Sequence, residues 1–128
     1  MPGNTNRSTG EVFEDHLRLR KEHRTTEDIE RNYADDLVVL SGTGKSLGRD
    51  GVRETACELD SYLPNGTWEY TNTLVEGEFA FLEWTATSDN GVVCDGADSF
   101  VIRDGRIVFQ SIHYTVHSDG PGERQAGQ

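Results

Sequence analysis

The sequence predicts one α+β domain in which three helices cover one face of a curved antiparallel sheet. Up to about residue 63, apolar residues recur mostly at helical spacing, and one short apolar strand interrupts them. From residue 67 to 117 the chain changes to strand-forming runs separated by tight turns that contain glycine. The length of 128 residues suits a single domain with one hydrophobic core.

The first two helices are predicted close to the start of the chain. Residues 11–23 form the first, because their apolar residues lie three and four apart. Thr25 or Thr26 caps the second, since a hydroxyl there accepts from a free backbone N–H of the first turn. Ile29 and Tyr33 lie four apart and share one face of this second helix.

A short buried strand and a third helix complete the first half. Residues 37–40 are continuously apolar, which predicts the strand. Asp50 caps the third helix, and the sequence Pro64-Asn65-Gly66 ends it, because proline breaks a helix and glycine disfavours its continuation.

The second half is predicted to be a series of hairpins. Their turns are Glu76-Gly77, Asn90-Gly91 and Asp104-Gly105, all typical two-residue connections. Two-residue turns fix the pairing of the strands, and the pairing assigns every side chain to one face of the sheet. A β-bulge would exchange the faces of all residues beyond it.

One predicted face is aromatic and contains a few polar groups, and the helices are expected to cover it. We predict a pocket there. Its wall and substrate-binding residues are expected to be Tyr33, reaching over from its helix, together with Trp68, Tyr70, Asn72, Phe81, Phe100, Phe109 and Ser111.

Glu83, Asp98 and His113 are the candidate catalytic residues on this face. In the predicted register Glu83 lies opposite Asp98, and His113 lies one diagonal step from Asp98. Burial and a second nearby carboxyl raise a carboxyl pKa, which gives a proton donor and a base near neutral pH. The alternative is structural: buried carboxylates also satisfy helix ends or pair with an arginine.

Charge and composition narrow the partners. The net charge of −11 argues against nucleic acid and anionic membranes, which bind clustered cations. The histidines and acidic residues do not have the sequence spacing of metal ligands, so no metal is expected. The opposite face of the sheet is apolar and no helix remains to cover it, so we predict a homodimer through that face. Its residues are Leu82, Trp84, Val101, Val108 and Ile112.

Three segments resemble the nuclear transport factor 2-like superfamily, and within it the SnoaL-like polyketide cyclases and the ketosteroid isomerases. They are residues 33–39, 48–54 and 98–108, and the similarity runs over 11–117. The resemblance implies a cone-shaped α+β barrel, with three N-terminal helices on a strongly curved antiparallel or mixed sheet that encloses a pocket. It also implies that Asp98 occupies the position of an acidic pocket residue in both groups.

The departures from the family pattern limit what can be transferred. Ser41 stands where the isomerases have a catalytic base, Leu17 where they have a tyrosine, and Ile112 where the cyclases have a carboxylate. We therefore expect a cofactor-independent acid–base enzyme, of a cyclase, isomerase or hydrolase type, that is not a typical ketosteroid isomerase. Its substrate is expected to be a small hydrophobic oxygenated molecule, such as a polyketide, terpenoid or steroid-like compound.

The alternative is a module of the same fold that binds a small ligand or assembles as a dimer without catalysis.

Residues 1–10 and 118–128 are polar and are expected to be disordered tails around a domain at 11–117. No signal peptide or membrane-spanning run is apparent, so a cytoplasmic location is expected.

Overall fold

Three helices pack on one mixed, curved sheet in the computed structural model, which describes residues 7–118. This agrees with the predicted α+β class. The helices are α1 (Thr9–Lys21), α2 (Thr25–Asn32) and α3 (Gly48–Tyr62). The strands are β1 (Tyr33–Ser41), β2 (Gly44–Leu47), β3 (Thr67–Glu76), β4 (Phe79–Ser88), β5 (Gly91–Arg103), β6 (Arg106–His113) and β7 (His117–Ser118).

The sheet combines local hairpins with one long-range pairing. Its order is β2-β1-β6-β5-β4-β3, with β7 paired to β5. The pair β1·β6 is parallel and the other pairs are antiparallel. The parallel pair joins the first half of the chain to the hairpins, so the strand predicted at 37–40 lies beside the last long strand.

The helix α1 begins two residues before the predicted start. Ser8 caps it with a full capping box, in which its side chain accepts from the backbone N–H of Glu11 and the Glu11 side chain accepts from that of Ser8. Tyr33, predicted on the second helix, is instead the first residue of β1, and it is fully buried. The predicted tails fall largely at 1–6 and 119–128, outside the described residues.

The three hairpins decide which side chains face the helices. The turn Asp104-Gly105 is confirmed: Arg103 pairs with Arg106, and both turn residues have positive φ, as a type I′ turn requires. The other two hairpins turn at residues 77–78 and 89–90, one residue away from the predicted places. Such a shift moves the pairing by two residues and leaves the faces unchanged.

A register irregularity in each hairpin does change the faces. The shifts lie between Tyr70 and Asn72 in β3, between Trp84 and Ala86 in β4, and at 101–102 where β5 meets β6. Each shift is by one residue, and side chains alternate along a strand, so residues beyond it change sides. Leu82 therefore pairs with Asp98, which the simple hairpin register had placed opposite Glu83.

We use the name cavity face for the side of the sheet that carries Trp84, Asp98 and Phe100 towards the helices, and outer face for the other. Phe13 of α1 packs edge-on against Phe100, with ring centroids 5.3 Å apart, which fixes α1 over the sheet. Six predicted pocket residues lie on the outer face instead, because the bulges exchanged their sides. They are Asn72, Phe81, Glu83, Phe109, Ser111 and His113.

The predicted dimer surface changes for the same reason. Leu82 and Trp84 are buried on the cavity face and Ile112 lines the cavity, so their assignment to an outer interface is wrong. Val101 and Val108 are half-buried.

Among the helices of residues 7–118, none has the length and apolar character that a membrane span requires.

Candidate functional site

A cavity of about 70 Å³ lies between the helices and the cavity face of the sheet. All three helices and all the long strands contribute to its wall, which is mostly apolar. Its polar and aromatic wall residues are His16, Arg20, Thr25, Thr55, Asp60, Trp68, Tyr70, Trp84, Asp98 and Gln110. Thr55 and Ile112 also line a neighbouring groove of about 310 Å³, which continues the space towards the end of β1.

Asp98 is the buried acid of this cavity. It lies on β5 with 8% of its surface exposed, and both carboxyl oxygens accept hydrogen bonds. The indole Nε1 of Trp84 donates to Oδ1 over 2.9 Å, and the amide Nε2 of Gln110 donates to Oδ2 over 3.0 Å. Neither donor carries a charge, so the carboxylate is fixed in place without a counter-ion.

Burial raises the pKa of Asp98 above that of an ordinary aspartate. The bonds from Trp84 and Gln110, followed by the electrostatic effects of the nearby His16 and Arg20, act against burial but do not cancel it. In its protonated form the carboxyl keeps lone pairs for both donors and gains a hydrogen to donate. Asp98 is thus suited to pass a proton to and from a molecule in the cavity.

A glycine on β5 makes room for the indole that holds Asp98. Gly96 pairs with Trp84, and a Cβ built on Gly96 would come within 2.3 Å of two indole carbons. The same ring packs edge-on against Trp68, with centroids 5.6 Å apart. Gly96 therefore allows Trp84 to lie flat enough on the strand for its N–H to reach Asp98.

Two tyrosines tie the polar groups of the cavity to the scaffold. The hydroxyl of Tyr33 donates to Oε1 of Gln110, which orients the Gln110 amide so that its nitrogen faces Asp98. The hydroxyl of Tyr70 donates to the backbone carbonyl of Leu17 over 2.7 Å, so this proton joins β3 to α1. Burial raises the pKa of both hydroxyls, which stay protonated at neutral pH.

A second buried acid lies behind the helical wall of the cavity. Asp28 of α2 is completely buried, and its Oδ2 accepts from Nδ1 of His16 over 2.8 Å and from Nε of Arg20 over 2.7 Å. Its Oδ1 accepts from the amide of Asn32 over 2.9 Å. Asp28 thus holds two cavity residues of α1, His16 and Arg20, in one fixed arrangement.

The charged partners of Asp28 reverse the effect of its burial. Burial alone would raise its pKa, but the charge and hydrogen bond of His16, followed by those of Arg20 and Asn32, hold it below the usual range. Asp28 is therefore ionised at neutral pH. Because Asp28 accepts from Nδ1, the neutral form of the His16 imidazole carries its proton there and has a lone pair at Nε2.

Part of the predicted site is brought together by the fold. Asp98, Trp68 and Tyr70 line the cavity as predicted, while Phe100 and Tyr33 are buried beside it. The predicted positions of Glu83 and His113 are wrong: Glu83 is exposed and accepts from the amide of Asn72, and the His113 side chain is 70% exposed beside Asp95.

Besides the wall residues Thr25, Thr55 and Asp60, the sequence analysis missed four polar residues that take part in the hydrogen bonds of the two buried aspartates. They are His16, Arg20, Asp28 and Gln110. A signal existed for the first two, since a histidine and an arginine four residues apart interrupt the apolar face of α1. Within residues 7–118 no group of three histidine, cysteine or acidic side chains is arranged to hold a metal ion.

Comparisons with known proteins agree with this architecture. The family model of the SnoaL-like domain matches residues 13–110. A search among curated proteins finds no significant match. Among solved structures, a candidate SnoaL-like polyketide cyclase from Mesorhizobium loti is 17% identical with a TM-score of 0.67, over 84% of this chain and 100% of the other.

Two further structures are similar over most of both chains. A candidate ketosteroid isomerase from Kribbella flavida is 15% identical with a TM-score of 0.71, over 92% of this chain and 85% of the other. A protein of unknown function from Burkholderia xenovorans, named NTF-2 like, is 15% identical with a TM-score of 0.70, over 92% and 91%. At such identities the likeness concerns the fold. The match over residues 13–110 shows that the chain belongs to the SnoaL-like domain family.

Proposed function

We propose that this protein is a cofactor-independent acid–base enzyme acting on a small hydrophobic oxygenated molecule, such as a polyketide, terpenoid or steroid-like compound. The reaction is a cyclisation or isomerisation in which Asp98 gives a proton to a substrate oxygen and takes it back. Names of two similar structures, polyketide cyclase and ketosteroid isomerase, support the reaction class.

The observation that carries the proposal is the carboxyl of Asp98 on the wall of an apolar cavity. Its two neutral donors fix the carboxyl, and burial raises its pKa towards the range in which an acid both gives and accepts protons. Leu82, Val39 and Ile112 line the same cavity, and the adjoining groove of about 310 Å³ adds the room that an apolar substrate body with one oxygen directed at Asp98 requires.

The test is hydrogen exchange on a model ketone. The protein is incubated with 2-tetralone in D₂O, and the loss of the α-proton signals is followed by NMR against a protein-free blank. Asp98→Asn is expected to slow the exchange by about 10²-fold or more, as for removal of a general acid. Asp50→Asn is the matched control, because the Asp50 side chain is 95% exposed on α3. Equal exchange in wild type and Asp98→Asn contradicts the proposal.

A second candidate function is binding without turnover, and one observation favours it. Both oxygens of Asp98 are already occupied by Trp84 and Gln110, so the acid also serves as a structural hydrogen-bond acceptor. The binding module is the correct interpretation if 2-tetralone shifts the indole NMR signals equally in wild type and Asp98→Asn, and if neither protein catalyses exchange of the α-protons of 2-tetralone.

The predicted homodimer remains a proposal, with a smaller and different set of residues. Val101 stays on the outer face, where the exposed Phe79 and the half-buried Phe81 and Phe109 extend the apolar surface. A second copy packed there would remove this surface from water. Light scattering is expected to give the dimer mass for wild type and the monomer mass for Phe79→Glu, and a monomeric wild type contradicts the proposal.

A further inference from the structure

Two titratable side chains reach the cavity from opposite walls. Asp98 comes from β5 and His16 from the apolar face of α1. The imidazole of His16 is fixed by edge-on contacts to Tyr33 and Phe100, with ring centroids 5.7 and 5.2 Å away. It is nearly buried, so it can meet a small molecule in the cavity but is shielded from bulk water.

The two nitrogens of His16 differ in their surroundings. Nδ1 is held by the ionised carboxylate of Asp28 at 2.8 Å. Nε2 makes no hydrogen bond with any residue from 7 to 118. It is also not sealed off by the surrounding protein, so it has accessible surface. Its lone pair is therefore open to the cavity, which is the arrangement of an oriented base.

Arg20 supplies the complementary charge beside this base. Its Nε is bound to the same Oδ2 of Asp28, and its guanidinium also lies beside the hydroxyl of Tyr33. The guanidinium lines the cavity. A substrate oxygen that becomes negative during the reaction would be stabilised there.

We propose that His16 is the base of this site, with Asp28 as its positioning residue, and that the substrate is a carbonyl compound with an acidic C–H next to the carbonyl. This inference rests on the proposed function. Nε2 takes the hydrogen of the C–H, and the bonding electron pair moves into the carbon–carbon bond of an enolate or enol. The oxygen accepts the charge or proton between Arg20 and Asp98.

His16 then returns its proton to the carbon, and the substrate oxygen returns the other proton to Asp98. These two transfers regenerate the protein without any oxidant or reductant. In D₂O the imidazolium exchanges its hydrogen before returning it, so the α-carbon gains deuterium. Without ionised Asp28 the neutral ring can place its proton on Nε2 instead, and the base is lost.

The experiment uses 2-tetralone exchange with a substitution that preserves the anchor. In His16→Asn the amide nitrogen replaces Nδ1 as donor to Asp28, while nothing replaces Nε2. We expect exchange to fall by about 10²-fold or more. His113→Asn is the matched control, because that histidine is exposed on the outer face, and its exchange rate is expected to equal that of wild type.

The state of the ring is measured independently of turnover by long-range ¹H–¹⁵N NMR of the histidines. The expected spectrum shows Nδ1 of His16 protonated and Nε2 free in wild type, with a mixture of the two tautomers in Asp28→Asn. The two indole N–H signals of the tryptophans report whether each variant keeps the native cavity.

The outcomes separate this inference from the proposed function. Exchange that is lost in Asp98→Asn but unchanged in folded His16→Asn overturns the role of His16 and leaves the proposed function standing. A wild-type ring with its proton on Nε2 also overturns it, whatever the exchange rates are. Absence of exchange in wild type overturns the proposed function and this inference together.

Discussion

One buried aspartate lies behind the helical wall of the cavity and another lies in its sheet wall, and the two are held in opposite ways. Asp28, behind the helical wall, is bound by His16 and Arg20, both of which can carry positive charge. Asp98, on the sheet wall, is bound by the neutral side chains of Trp84 and Gln110. The pKa of Asp28 is held below the ordinary value and that of Asp98 is raised above it.

The comparison shows that burial alone does not decide the state of a carboxyl. Charged donors stabilise the ionised form of Asp28, so it can anchor other side chains but cannot exchange protons near neutral pH. Neutral donors orient Asp98 without removing its affinity for a proton. The helical wall therefore provides fixed charge, and in our proposal the sheet wall provides a movable proton. The following predictions test this division.

The largest effect is expected for Asp28→Ala. Removal of one partner from a buried ion pair leaves the others without a counter-charge, which costs about 3–5 kcal/mol. The measurement is urea unfolding at neutral pH, and the control is Asp50→Ala, an exposed acid on α3 that is expected to change stability by less than about 0.5 kcal/mol. A loss for Asp28→Ala no larger than for its control would contradict the role of Asp28 as an anchor.

Gly96→Ala tests the support of the sheet wall. The new Cβ would overlap the indole of Trp84, so the ring must move away from Asp98 at a cost of about 1–3 kcal/mol. One of the two indole N–H signals should shift strongly, since the bond to Asp98 is stretched or lost. The matched control is Gly42→Ala, because nothing lies near the Cβ position of Gly42 and its φ is not positive. Gly77→Ala is unsuitable as a control, because Gly77 has positive φ. An unchanged indole spectrum would show that Trp84 is not held by this contact.

Asp98→Asn is expected to alter the pH dependence of stability. The folded pKa of Asp98 lies above the unfolded value of about 3.9, so its contribution is complete below that pH and is lost as the pH rises through the folded pKa. Asparagine stays neutral, and rotation of the Gln110 amide can preserve its hydrogen bonds. The variant should gain on wild type from pH 4 to 7 by about 1.4 kcal/mol for each unit of the shift. Parallel stability curves over this range would contradict a raised pKa.

The hydrophobic pattern and turn chemistry were sufficient to predict the class of fold. The presence of three helices and the turn at Asp104-Gly105 follow from local chemistry, which is readable from one sequence. The predicted caps of α2 and α3 are wrong, because Thr25, Thr26 and Asp50 lie inside those helices. The long-range parallel pair β1·β6 was not derivable from local pattern, because it depends on how distant segments pack. The resemblance to a known superfamily allowed for a mixed sheet.

The candidate site was predicted only in part, because a register shift of one residue changes every face beyond it. Asp98, Trp68 and Tyr70 kept their predicted side, whereas Glu83 and His113 did not. Gly96 within a strand was a usable signal, since such glycines often mark a bulge or a close approach. The pairing of His16 with Asp28 joins two helices, and no spacing rule predicts it.

The smallest effect is expected for Glu83→Gln, which distinguishes the observed register from that of hairpins without bulges. In the bulge-free register Glu83 would face Asp98, and its substitution would change the pKa of Asp98 and the exchange of 2-tetralone. In the structure Glu83 is exposed on the outer face, and within residues 7–118 its side chain bonds only the amide of Asn72, at 3.2 Å. Glutamine can make the same bond, so stability should change by less than about 0.5 kcal/mol. Exchange rates and both indole signals should equal those of wild type, whereas a shifted Trp84 signal would place Glu83 beside the cavity and overturn the division between the two faces.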